Sequence, residues 1–327
     1  MALRDVIFMR RREFIKKVAT AGTASVIIGG GILLIGSRSG KSKKALKIYK
    51  PKDYKAKIPS DKPVLAIAKN KDYRKAVATA IAVFGGMETF IKTGDYVCLK
   101  PNIGWDRSAQ QGANTHPEVV AELGRLCFKA GAKKVIVVDV TCNAPRRCYN
   151  RSGIKAAAQA EGIEVIIPDD SLFEHIDFGN NSLGKWQVLK PVLECDKLIN
   201  VPVVKHHSLS GMTASMKNWF GVLTGPRNRL HQDIHDNIAE LAYLFQPTLV
   251  VEDVTRVLQR NGPQGGKLED LITYDSVVVS TDQVAAEAYV TRFLDKKPAD
   301  FPFIGIAENK GVGISQPPSD KVIKIDV

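Results

Sequence analysis

The chain has 327 residues, 44% of them hydrophobic and 25% charged, which supplies the core of one large or two ordinary domains and excludes a disordered chain. Its formal charge of +13 is unevenly placed: residues 1–57 hold fifteen Lys/Arg against three Asp/Glu, and the other 270 residues carry about +1. A nucleic-acid binder needs its basic surface on the folded domain, so this distribution argues against nucleic acid as a partner.

Chain order begins with Arg10-Arg11-Arg12-Glu13-Phe14-Ile15-Lys16-Lys17, followed by a Gly-rich, mildly apolar run from Val18 to Gly36. The R-R-x-F-x-K core at Arg11 to Lys16 resembles a twin-arginine export signal. That resemblance implies the twin-arginine translocase as a partner, a periplasmic or exported destination, and passage of an already folded chain. A run of about nineteen apolar or small residues nearly spans a bilayer. Residues 1–37 are therefore expected to be either a cleaved signal or an uncleaved anchor, and the chain's only membrane contact. Residues 38–62 are basic, Pro-punctuated and without apolar period, which predicts a linker. The domain is expected from Pro63 to Val327, in one lobe or two.

Within it, apolar runs alternate with amphipathic ones. Strands are predicted at "VLAIAK" (64–69), "YVCLKPN" (96–102), "KKVIVVDV" (133–140), "EVIIP" (164–168), "KLINVPVV" (197–204), "TLVVEDV" (248–254) and "SVVVS" (276–280). Helices are predicted at 73–86, 117–131, 154–162, 233–245, 282–294 and 302–311. This βα rhythm predicts an α/β fold: a mainly parallel sheet with helices on both faces and mixed edge strands. Ligands of such sheets gather at the carboxyl ends of the strands. Here those ends are "KPNIGWD" (100–106), "VDVTCN" (138–143), "VVKHH" (203–207) and "VEDV" (251–254).

Most of the unusual polar residues fall at these ends. Four of the six histidines, His206, His207, His231 and His235, lie within thirty residues. His231 and His235 are four apart at a predicted helix start, a spacing that can chelate a metal or flank a substrate. Neighbours on a strand face opposite ways, so one of His206 and His207 is expected to face the site. Lys217 and Asn218 open an apolar "WFG" segment, where lost hydration would lower the lysine pKa and free its amine as a nucleophile or cofactor anchor. Gly211 and Thr213 allow close backbone approach to an anion, and Lys100 and Asn102 flank Pro101 at a strand end. Thr115 is expected to cap the helix beginning at Pro117, and Glu252 with Asp253 either to ligate a cation, to pair with Lys217, or to cap the next segment. "NGPQGG" (261–266) lacks the ending of a phosphate loop and reads as a surface loop. The five cysteines fit no zinc or iron–sulfur spacing; Cys142 and Cys148 flank a loop where an oxidising compartment could pair them.

From about Leu65 to Gly313 the chain resembles the domain-of-unknown-function 362 family, through "LKPNIGW", "THPEVV", "GAKKVIVVD", "LINVPVVKHHSLSGMTASMKNWFG", "NGPQGG", "STDQVAAEAY" and "AENKGVGI". Relatives with a C-x-x-C-x-x-C segment carry iron–sulfur centres; this chain has no such segment, and no iron–sulfur cluster is expected. It also resembles, more distantly, the nickel-pincer lactate racemase family, in which a histidine is followed by a glycine four residues on and a lysine ten on, as His207, Gly211 and Lys217 are here. That resemblance implies His207 as an acid/base, Lys217 as the cofactor-bearing lysine and a later histidine as metal ligand. The family's second catalytic histidine faces "VDVTCN" here, and its arginine motif faces "KPNIGWD".

The sequence thus predicts an exported α/β enzyme with a divalent metal or nickel-pincer-like cofactor, acting on a small anionic metabolite by proton or hydride transfer. His207 and Lys217 would be catalytic, Lys100, Asn102, Gly211, Thr213 and Asn218 would bind cofactor or ligand, and His231, His235 and Glu252 would hold metal. The alternative is a non-catalytic periplasmic module that binds a small anionic ligand.

Overall fold

The computed structural model describes residues 47–326 other than 51, 60, 180 and 181; the stretch expected to be a twin-arginine signal and the first part of the expected linker lie outside the described residues. In chain order the strands are β1 (Lys47–Ile48), β2 (Leu65–Lys69), β3 (Tyr96–Pro101), β4 (Lys134–Val137), β5 (Glu164–Val165), β6 (Phe173–Asp177), β7 (Lys185–Leu189), β8 (Lys197–Val201), β9 (Val203–His207), β10 (Gly211–Thr213), β11 (Leu223–Thr224), β12 (Leu249–Leu258), β13 (Leu271–Ser280) and β14 (Val322–Asp326). Among the described residues the central sheet runs β14-β2-β13-β12-β8-β3-β4-β5, with β9 carried on β12 and β10 on β9. β13 lies antiparallel to β2 and β12, and β10 antiparallel to β9; the other pairs are parallel. The mainly parallel α/β fold is as the periodicity predicts.

Near-continuous apolar runs make the strands suit burial on both faces. Along β3, Val97 and Leu99 enter one core layer and Cys98 the other; along β2, Ala66 and Ala68 oppose Leu65 and Ile67. Helices Tyr73–Ala82, Pro117–Lys129 and Ile154–Ala160 cover the first face. Helices Ile234–Leu244, Gln283–Val290 and Pro302–Asn309 cover the second. Each fully buried Val or Leu contributes roughly 1.5–3 kcal/mol against leaving it in water, so two sealed layers hold the strand ends rigidly in register.

Two features depart from the sequence reading. A second, smaller sheet, ordered β1-β6-β7-β11, adds Ile176, Trp186, Val188 and Leu223 to the second core layer. Its strands are short and interrupted by polar residues, which masks their period. The expected linker over 38–62 is also corrected: from Lys47 it is built into the fold. β1 pairs with β6, Tyr54 is buried and its hydroxyl donates to the Val192 carbonyl at 2.6 Å, and Asp53 bridges to Gln246. The basic composition of this stretch concealed its few anchoring residues. Among the described residues, no helix is long and apolar enough to cross a membrane.

Candidate functional site

β3, β4, β8 and β9 run parallel, so their carboxyl ends open on one edge of the sheet, where a cavity of about 420 Å³ lies. Of the residues singled out in the sequence, it brings together Asn102, Thr213, His207, Lys217, Asn218 and His231, with Asp139 and Lys205. The pleat divides the adjacent histidines as expected: His207 is buried against the cavity, while His206 accepts a hydrogen bond on Nδ1 from the Gly262 amide at 3.1 Å. The β9–β10 turn then returns the chain, and a 3-10 segment, Lys217–Val222, carries Lys217 back over the sheet edge.

Lys217 is only 7% exposed. Its ammonium nitrogen lies 3.4 Å from the Phe220 ring centroid and has no hydrogen-bond or ion-pair partner among the described residues. A cation–π contact replaces little of the lost hydration. Burial accordingly pulls its pKa from 10.5 to about 7, with the positive charges of Arg227 and Lys205 adding to the descent against the opposing pull of Cys142 and Glu287. Lys205, in the middle of β9, is brought to about 7 by burial as well. Its Nζ donates to Asn102 Oδ1 and to the Ala113 carbonyl, which leaves one donor for a ligand.

His207 takes a role other than the acid/base expected. Its Nδ1 accepts the backbone amides of Leu209 at 3.1 Å and Ser210 at 3.3 Å. That network assigns the neutral tautomer with its proton on Nε2. Burial, reinforced by the charges of Lys217 and Lys205, lowers its pKa to about 2, so the ring stays neutral. His207 is therefore a fixed hydrogen-bond donor. His231 stacks on it, with ring centroids 6.2 Å apart, and meets Phe220 edge-on.

Lys100, Asn218 and Asn102 form a buried polar network with Asp139 at the sheet edge. Lys100 Nζ pairs with Asp139 Oδ1 at 2.6 Å and donates to Asn218 Oδ1 and the Pro101 carbonyl. Burial lowers the lysine and raises the aspartic acid, each opposed by its partner. The Asn218 amide group donates to the Lys100 carbonyl and Asn200 Oδ1, while its oxygen also accepts from Asn102. The Lys100 ammonium and the Asn218 amide are thus engaged with protein groups, and Lys100 does not line the cavity. Gly221 permits this closeness, because a Cβ there would stand 2.1 Å from Asp139 Oδ1.

Other expected members lie elsewhere. Gly211, at φ +79, faces the Phe301 ring and supplies a turn. His235 stacks on Phe303 at 5.8 Å. Its spacing from His231 does not place both on one helix, because Arg227–His231 is a separate 3-10 segment and Asp233 caps the helix that follows. Glu252 Oε1 accepts the Ser215 amide from behind the turn, in contact with Glu287. His231, His235 and Glu252 therefore do not form a ligand set, and no group of three metal-ligating side chains occurs among the described residues. Of the residues that the nickel-pincer resemblance implies, the cavity holds Lys217, His207 and one later histidine, His231, while His207 keeps its Nδ1 lone pair on backbone amides. Thr115 does not cap its helix; His116 Nδ1 does, and the Thr115 hydroxyl donates to the Val201 carbonyl. Asp253 accepts the His116 amide.

Sequence reasoning missed Lys205 and Arg227. Lys205 alternates with His206 toward the cavity side of β9, and that period was available as a signal. Arg227 donates to the Val140 and Thr141 carbonyls and touches Cys142 Sγ at 3.7 Å, contacts between distant segments that leave no local pattern. Cys142 is exposed and Cys148 buried, and both are free thiols.

Compared with known proteins, residues 97–292 match the family described as Domain of unknown function (DUF362). A thylakoid-associated protein of Synechocystis sp. is 26% identical over 252 residues, covering 72% of this chain and 74% of that protein. The lactate racemase apoprotein from Thermoanaerobacterium thermosaccharolyticum superposes with a TM-score of 0.40 at 12% identity, over 72% of this chain and 59% of its own. A protein from Thermotoga maritima gives 0.36 at 8% identity, over 74% and 60%. The chain thus spans less than two thirds of either of these solved structures, and scores this low say nothing of shared chemistry.

Proposed function

The chain belongs to the domain-of-unknown-function 362 family, and from that premise we propose that it is an exported or membrane-associated enzyme that binds a small anionic metabolite and uses the Lys217 amine for proton transfer. One observation carries the reading: a lysine nine-tenths buried, without a polar partner among the described residues, lines a cavity that also holds Lys205 and Arg227. The thylakoid association of the Synechocystis relative and the Arg11-Arg12 motif support the location, with the twin-arginine translocase as export partner.

The chemistry follows from the donors. Arg227 and the free donor of Lys205 attract a carboxylate or phosphate through charge-assisted hydrogen bonds. Near neutral pH about half of Lys217 is the free amine, able to take a proton from a carbon next to a carbonyl. The electron pair moves onto the carbonyl oxygen, where the Nε2–H of His207 donates a hydrogen bond to the developing charge. Lys217 then carries the proton and returns it when the carbon is reprotonated.

Exchange in D2O tests this directly. The full chain should wash deuterium into the position next to the carbonyl of a small 2-keto acid, followed by NMR across a panel of such acids, and Lys217→Met should abolish it. Exchange that survives in Lys217→Met would refute the assignment of the base. Binding without exchange in any acid of the panel would leave the non-catalytic module as the reading.

A further inference from the structure

The cavity changes character between its floor and its mouth. The floor is polar and buried: Lys205, Lys217, Thr213 and His207. The mouth, taken as the more exposed lining, includes Trp105, Leu209 and Pro263, three apolar residues from three separate segments, beside the polar Ser208 and Asn228. Leu209 is 61% exposed at the tip of the β9–β10 turn, a position where Ser, Asn, Asp or Gly ordinarily serves. A single exposed leucine is unremarkable, but here it shares one opening with a tryptophan and a proline.

The backbone at or beside each of these residues is held by hydrogen bonds. The Trp105 amide donates to Asn114 Oδ1 at 3.0 Å, and Asn114 Nδ2 donates back to the Trp105 carbonyl at 2.9 Å. The Leu209 amide is fixed on His207 Nδ1, and Gly262, next to Pro263, is fixed on His206 Nδ1. The adjacent histidines therefore hold two sides of the mouth while His207 also faces the floor.

We infer that the ligand is amphiphilic: a carboxylate or phosphate head seated against the cationic floor, carrying an apolar body of several carbons that lies across Trp105, Leu209 and Pro263. This ligand class rests on the anion-binding reading above and adds what the anion must carry. The volume, about 420 Å³, lies within the ordinary range for small-ligand sites and exceeds what a two-carbon acid needs.

Isothermal titration of the full chain with straight-chain monocarboxylates from acetate to octanoate separates head from body. Affinity should rise with each added methylene by about twofold for partial burial, up to roughly fourfold for full burial, and level off once the chain passes the mouth. Leu209→Ser should flatten that slope, whereas Lys217→Met should lower every member by a similar factor. A series in which acetate binds as tightly as hexanoate overturns the amphiphilic ligand and leaves anion binding standing. A series in which no member binds overturns both.

Discussion

Lys217 allows the sharpest test, because its altered acidity should be visible as reactivity. With its pKa brought to about 7, about half of its amine is unprotonated at pH 7, against roughly one part in three thousand for an ordinary lysine near 10.5. The free-amine advantage is about a thousandfold, and lower basicity and restricted access reduce it to an expected ten- to hundredfold in rate. A brief pulse of dilute acetic anhydride at pH 7, with the modified lysines mapped by mass spectrometry, should acetylate Lys217 well before exposed lysines such as Lys185 and Lys267, whose side chains are 63% and 75% accessible. Raising the pH to 9 should speed the exposed lysines by nearly a hundredfold and Lys217 by about twofold. Sodium phosphate or hexanoate should protect Lys217 selectively. Labelling of Lys217 that follows the exposed lysines across this pH range would refute the desolvated-amine account and the proposed base with it.

The remaining tests address the supports of the site. Glu287, buried and pushed up to about 7 chiefly by burial, binds a proton when folded that the unfolded chain releases above about 4.5; its own contribution to stability, read as the difference between the chain and Glu287→Gln, should fall by about 3 kcal/mol as pH rises from 4.5 to 7, against the opposite rise from His207. Glu287→Gln keeps an oxygen for the Met216 amide and should flatten that decline in denaturant titrations; an unchanged pH profile would exclude Glu287 as its source. Gly221→Ala drives a methyl between Asp139 and Lys100 and should cost roughly 3–5 kcal/mol, the scale of a broken buried ion pair, with anion binding lost; a variant within 1 kcal/mol of the parent in thermal melts would show that the buried network tolerates separation. Replacing both Arg11 and Arg12 by Lys should strand the precursor in the cytoplasm on fractionation, and normal export of that variant would dismiss the twin-arginine reading.

What the sequence disclosed followed from local periodicity. β3 and the run 197–204, which the structure divides at Pro202 into β8 and β9, announced themselves as apolar stretches leading to charged residues, and the parallel-sheet rule placed Lys100, Asn102, Asp139 and His207 near one edge. Pleat parity required that only one of His206 and His207 face the site, and the ten-residue spacing to Lys217 selected His207. What stayed hidden depended on contacts between segments distant in the chain. The helical i, i+4 rule failed for His231 and His235 because Asp233 interrupts the helix between them. Glu252 ends the visible core of a strand as Asp139 does, yet β12 continues to Leu258, so its side chain meets the Ser215 amide behind the site. The tautomer of His207 required knowing where two backbone amides of its own turn point, which no spacing encodes.

The competing readings, enzyme and plain anion receptor, make opposite demands on the same lysine. A receptor gains affinity from a cation that is already charged, and an exposed or carboxylate-paired lysine serves that purpose at no cost. Lys217 is instead held where its charged form is disfavoured by about 5 kcal/mol, the equivalent of a descent from 10.5 to about 7. An anion binding at pH 8 must first restore that proton, so affinity should weaken as pH rises above 7, a handicap for a receptor. For a base the same desolvation is useful, since the conjugate acid then has a pKa near the working pH and the proton moves in either direction with little bias. Arg227, which cannot deprotonate, is left to hold the anion, while Lys217 alternates between charge states beside the donor on His207. Lys205 is lowered to about 7 as well, but two of its donors are held by Asn102 and the Ala113 carbonyl, whereas Lys217 has no polar partner among the described residues, and that difference favours Lys217 as the base.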